Sequence, residues 1–145
     1  STRGEQLVRE MRAAMPQAPR PAQPPKILVE WWPKPVIAPG KQSWVTDMIE
    51  LAGGVNPWGA RDVKSGEIST ADAQATPPDA IVMSWCGVKQ ENYRADVVLR
   101  REHWGEVRAI RERRVLPVTE AFLGRPGPRL VEGYKALRKI VESLS

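Results

Sequence analysis

Three short stretches set aromatic rings beside groups that can hydrogen-bond: Trp31–Trp32 before Lys34, Trp85 before Cys86, and Phe122 before Arg125. Flat apolar rings with a few polar groups between them are the make-up of a small-molecule pocket. Six tryptophans in 145 residues strengthen that reading, because tryptophan is favoured where a large flat ligand or partner is bound. Each ring also has a packing reading. Trp31 and Trp32 are neighbours, so in a strand they face opposite ways and one of them belongs to the core. Trp85 fits either role, and Trp44 is a pocket candidate in a first helical turn. Trp104 is expected in the core, and Trp58 stands in an irregular loop with its role open. Arg125 lies between Gly124 and Pro126, where a stiff backbone can present its guanidinium to a ligand amide or carboxylate. The alternative is a surface arginine beside a turn.

Residues suited to catalysis are sparse. Cys86 has no histidine at a recognisable spacing and reads as a buried structural thiol. His103, the one histidine, has no partner pattern for a metal and suits a surface or capping position. Gly53–Gly54 follows a helix, whereas a dinucleotide fingerprint follows a strand. The carboxylates form no acid/base pair. The expectation is therefore a binding protein without a cofactor or metal, and not an enzyme; the enzymatic alternative rests on Cys86 or His103.

Composition agrees with one domain around one core, with 41% hydrophobic and 27% charged residues. No apolar run reaches the length of a membrane span. The net charge is +5, but Arg100, Arg101, Arg111, Arg113 and Arg114 alternate with Glu102, Glu106 and Glu112. That alternation reads as a solvated helical face, not a nucleic-acid surface.

The candidate residues need elements to hold them. Thr2 to Met15 has helical spacing, with Leu7, Met11 and Ala14 on one face. Pro16 to Pro25 is a connector that cannot continue a helix. Lys26–Trp31, Ala80–Ser84 and Arg114–Val118 read as apolar strands. Trp32 to Gln42 is expected as a loop. Ser43 is expected to cap a helix from Trp44 to Ala52 that ends at Gly53–Gly54, and Ser69 a short one through Ala75. Further helices are expected over Glu91–Arg100 and Gly105–Glu112. A last one follows Pro128 to about Leu144, burying Leu130, Tyr134, Leu137 and Val141. Strands alternating with helices predict a three-layer α/β/α lobe with a mostly parallel, Rossmann-like sheet. Ligands of such sheets bind beyond the carboxyl ends of the strands, which is where the aromatic stretches fall.

Several of these motifs together resemble a known family. Glu30-Trp31-Trp32-Pro33-Lys34-Pro35, Ala38-Pro39-Gly40-Lys41 and Trp44-Val45 resemble the cobalamin (vitamin B12)-binding members of the substrate-binding proteins of ABC importers. Met48 to Asn56, with its Gly53-Gly54-Val55-Asn56, is a signature of the wider iron-complex and B12 superfamily. Pro78 to Val82 leading to Trp85-Cys86-Gly87 looks like the family's second strand and turn. Arg113-Arg114-Val115 and Arg125 to Gly133 look like its last strand and helix. The likeness runs from about Lys26 to Val141.

The resemblance implies one half of a two-lobed binding protein. Residues 1–15 are then the end of the helix that joins the lobes, 16–25 a connector, and 26–145 the C-terminal ligand-binding lobe. It leaves the first lobe outside this sequence. It implies a corrinoid such as cobalamin as ligand, held by Trp31, Trp32, Trp44, Trp85, Phe122 and Arg125. It implies an ABC permease in the membrane as partner, and a periplasmic or extracytoplasmic, lipoprotein-tethered location. The family's acidic docking residue aligns with Ala71, leaving Asp72 and Glu67 as weak substitutes. The alternatives are haem or a ferric siderophore as ligand, or an interaction module that binds no ligand.

Overall fold

The computed structural model describes residues 9–10, 13–125 and 127–144. Three strands make the central sheet: β1 (Ile27–Glu30), β5 (Ala80–Met83) and β6 (Val115–Pro117), in the order β1-β5-β6. Both pairings are parallel, with Leu28 opposite Ile81 and Val82 opposite Leu116. Every residue of β1 and β5 is buried. Side chains of a strand alternate between faces, so the continuous apolar runs feed two cores. Ile27, Val29, Ala80 and Val82 point into one, and Leu28, Ile81 and Met83 into the other.

The first core is roofed by α1 (Trp44–Leu51) and α6 (Leu130–Ser143). Helix α1 contributes Val45, Met48 and Ile49; α6 buries Leu130, Tyr134, Leu137 and Val141, the stripe expected from its spacing. The second core is covered by α2 (Thr70–Ala75), α3 (Ala95–Leu99) and α4 (Arg108–Arg111), through Ala73, Val98, Ala109 and Ile110. Trp104 and Trp58 are buried in the same core. The architecture is the α/β/α sandwich expected from the alternation of elements.

The caps act as the residue types imply. Ser43 Oγ accepts from the Val45 N–H at 3.2 Å at the start of α1. Gly53, at φ +97°, closes it in a conformation that favours glycine. Ser69 and Asp72 exchange bonds as a capping box at α2. In the amino-terminal stretch Arg9, Glu10, Ala13 and Ala14 are helical. The rest of the expected helix before Ala13 lies outside the described residues. Met15 is buried, and Tyr134 Oη donates to the Pro16 carbonyl, fastening the connector to α6.

Three expectations are corrected. The loop expected over Trp32–Gln42 contains a hairpin: β2 (Trp32–Pro33) and β3 (Val36–Pro39) pair antiparallel, and β4 (Ser65–Glu67) extends them into a second small sheet. Its prolines are tolerated because β2 is an edge strand and Pro39 ends β3, while Val36 and Ala38 alternate into the second core. The Lys34–Pro35 bond in its turn is cis. The helix expected over Glu91–Arg100 is split into a 3₁₀ turn, Gln90–Asn92, and α3. Tyr93 is extended between them, its ring 5.5 Å from Trp85 and its hydroxyl accepting from the Glu120 N–H at 3.1 Å. A short α5 (Glu120–Leu123), capped by Thr119, follows β6 where no helix was expected.

Candidate functional site

The chain leaves β1 at Trp31 and bends into the hairpin, with the Trp31 N–H donating to the Ile37 carbonyl at 2.7 Å. This bend resolves the question of the paired tryptophans. Both line one cleft of about 410 Å³ at the carboxyl end of the parallel sheet. Trp31 is half-buried and packs against the first core as well, whereas Trp32 is 43% exposed. Trp44 forms a further wall. It is the first residue of α1, packs on the first core, and its Nε1–H donates to the Leu123 carbonyl at 2.9 Å. An indole fixed at its polar end offers its remaining surface to a ligand at little entropic cost.

The other sequence candidates are placed differently. Trp85 does not line the cleft: it is 6% exposed, packed in the second core, and donates from Nε1 to Glu30 Oε2 at 3.0 Å. Phe122 is half-buried against the first core and lines none of the described concavities. Arg125 is exposed. It borders a neighbouring concavity with Glu120, Gly127 and Arg129. That concavity adjoins the cleft through the chain itself, since Gly124 is a wall of the cleft.

Sequence reasoning missed part of the wall. Ile37, Lys64 and Ser65 come from the small antiparallel sheet and carry no motif of their own. Trp32 and Ile37 are register partners and so share its outer face. The short apolar run Val36-Ile37-Ala38 was the available signal, obscured by the surrounding prolines. Cys86 requires a correction. It is exposed on the cleft wall and is not a buried structural thiol, because the Cys86 N–H bonds the Trp31 carbonyl at 3.0 Å and turns the chain outward after β5. Partial desolvation and then the charge of Glu120 push its thiol pKa up. It is protonated at neutral pH, the opposite of an activated nucleophile. His103 is exposed beside Glu102 and lines none of the described concavities.

A larger concavity, about 1020 Å³, lies at the opposite end, where Lys26 and Asp79 precede β1 and β5. Its wall is the proline-rich connector, and Asp79 there is already engaged by the Lys26 N–H at 2.8 Å and Arg108 at 3.0 Å. It lacks the convergent aromatic groups of the smaller cleft.

The two acidic docking candidates share one arginine. Arg61 donates to the Glu67 carbonyl at 2.9 Å and pairs with Asp72 at 3.1 Å. The Ser69 N–H and then Arg61 hold the Asp72 carboxyl below its usual range. The charge of Asp72 is thus partly spent inside the chain, while the Glu67 residue is exposed on β4.

The family described as periplasmic binding protein matches residues 3–120. The chain belongs to this periplasmic binding protein family. Among family relatives, it is 26% identical over 148 positions to YvrC of Bacillus subtilis (strain 168), an uncharacterized ABC transporter substrate-binding lipoprotein, covering 96% of this chain and 44% of that protein. The periplasmic heme-binding protein RhuT from Roseiflexus sp. RS-1 superposes with a TM-score of 0.76 at 26% identity, over 97% of this chain and 54% of RhuT. The periplasmic vitamin B12-binding protein BtuF of Vibrio cholerae gives a TM-score of 0.69 at 19% identity, over 97% of this chain and 51% of BtuF. The chain therefore spans about half the length of the relatives it matches. Its mixed α/β fold with a parallel sheet is the fold of periplasmic binding proteins.

Proposed function

We propose that the chain is the C-terminal lobe of an extracytoplasmic substrate-binding protein that hands a corrinoid to an ABC permease. The observation that carries the reading is the cleft walled by Trp31, Trp32 and Trp44 at the carboxyl end of the parallel sheet. A corrinoid offers a broad ring edged with amides. Its apolar surface packs on the indoles, each buried Å² contributing about 25 cal/mol, and Arg125 bonds an amide from the adjoining loop. The cleft is open on one side, so a second lobe facing it would supply the other wall. The single lobe then binds at about millimolar affinity, roughly −4 kcal/mol.

One observation favours a second reading. The cleft carries Lys64, and the adjoining concavity Arg125 and Arg129. Cations at the rim suit a planar ligand with carboxylates, as haem has, better than a neutral corrinoid. Titration of ¹⁵N-labelled protein with cyanocobalamin and with haemin separates the readings. The corrinoid reading expects the indole signals of Trp31, Trp32 and Trp44 to shift with cyanocobalamin at millimolar concentration. Shifts with haemin alone, abolished by Lys64→Gln or Arg125→Gln, establish the second reading. Shifts confined to residues away from the cleft refute both.

A further inference from the structure

Beneath the cleft lies a charged cluster that no ligand role explains. Glu30, the last residue of β1, is fully buried, and its Oε1 is 2.7 Å from Arg101 Nη1. Its Oε2 accepts from Trp85 Nε1 at 3.0 Å. The Arg101 side chain is 11% exposed and lies over the Trp104 ring, 4.6 Å from the centroid. Its Nη2 donates to the Pro33 carbonyl at 3.1 Å. Burying an ion pair is a poor way to gain stability, since desolvation offsets the attraction and apolar residues of similar volume do as well or better. What a guanidinium supplies that apolar packing does not is a planar fork with fixed directions. Here the guanidinium is ion-paired through Nη1 with the end of β1, without an aligned hydrogen bond at Glu30 Oε1, and donates through Nη2 to the backbone of β2, next to Trp32. The other carboxylate oxygen holds Trp85, next to Cys86. The two loops that deliver Trp32 and Cys86 to the cleft are registered on one buried carboxylate.

We infer that Glu30 and Arg101 are positioning residues that fix the β2–β3 hairpin, and with it Trp32, as a preformed wall of the cleft. The consequence for affinity rests on the binding reading above; the consequence for the hairpin does not. Arg101→Lys retains the charge beside Glu30 but cannot also span to the Pro33 carbonyl. The double variant Glu30→Gln/Arg101→Met removes both charges and leaves an amide oxygen for Trp85, so it guards against misfolding from an unpaired buried charge.

The test is the Trp32 indole signal and amide exchange over Val36–Pro39 in both variants, with melting temperature and cyanocobalamin affinity measured beside them. Trp44, anchored by Leu123, is the internal control. The inference expects the Trp32 signal to move or broaden while Trp44 holds, faster exchange in β3, and about tenfold weaker binding without a matching fall in melting temperature. An unmoved Trp32 signal with unchanged exchange in both variants overturns it, as does an affinity loss that only follows melting temperature. If the unaltered protein binds neither cyanocobalamin nor haemin, the binding reading fails by itself, and the Trp32 and exchange measurements still decide the role of Arg101.

Discussion

Replacing Asn56 by alanine should loosen the segment that carries Ser43 and Trp44 to the cleft. Asn56 is 6% exposed and uses both ends of its amide. Nδ2 donates to the Pro39 carbonyl at 2.9 Å and to Thr46 Oγ1 at 3.0 Å, and Oδ1 accepts from the Trp58 N–H at 3.0 Å. Thr46 in turn donates to the Gly40 carbonyl at 2.7 Å. One side chain thus clips the end of β3, the start of α1 and the Trp58 loop together. In Asn56→Ala the buried Trp58 N–H loses its acceptor, at a cost of about 1–3 kcal/mol, and the loss at Pro39 adds about 1 more. A total near 3 kcal/mol corresponds to a fall in melting temperature on the order of 10 °C for a chain of this size.

Asn56→Asp sharpens the test. It keeps an acceptor for Trp58 but turns a carboxylate oxygen toward the Pro39 carbonyl, so its folded pKa should rise above the unfolded value of about 3.9. A raised acid pKa means the deficit is small below the unfolded pKa, grows as pH rises toward the folded pKa, and is constant above it. Urea unfolding followed by tryptophan fluorescence, at about pH 4 and about pH 7, reads both effects. A loss under about 1 kcal/mol for Asn56→Ala, or an Asn56→Asp deficit that does not grow with pH, refutes the clip.

Gly133→Ala should destabilise despite alanine's helix propensity. The new Cβ falls 2.6 Å from Leu123 Cδ2 and 2.7 Å from the Phe122 carbonyl oxygen. Overpacking of that kind costs about 1–3 kcal/mol, measurable by thermal melting. Ser69→Ala removes the α2 cap and should lose about 1 kcal/mol in urea unfolding. Because the Asp72 pKa is lowered in the fold, its contribution is full above the unfolded aspartate pKa and is lost as pH falls through its own lower value. Asp72→Asn should therefore flatten the acid limb of the stability curve. Cys86 should alkylate slowly at neutral pH, faster in Glu120→Gln, and more slowly again with the cleft occupied, as followed by mass spectrometry.

Much of the fold is legible in the sequence because its signals are local. Continuous apolar runs at Ile27–Val29 and Ala80–Met83 fit short strands covered on both faces, and both are buried throughout. Ser43, Ser69 and Gly53 mark helix ends through bonds and dihedrals that span a few residues. The strand-end rule then locates the cleft, since Trp31, Trp32 and Trp44 stand where the parallel strands stop.

What the sequence could not decide is which way each ring turns and which distant group claims it. Trp85 has the same motif-level credentials as Trp31, yet Glu30, fifty-five positions away, takes its indole N–H and draws it into the core. The hairpin that brings Ile37, Lys64 and Ser65 to the cleft depends on β3 pairing with β4, far along the chain. Cys86 is turned outward by a backbone bond to Trp31, formed only once β1 and β5 lie side by side. Local sequence specifies dihedral preference and apolar period; the partner of a buried polar group is a long-range choice, and only the packed tertiary structure makes it.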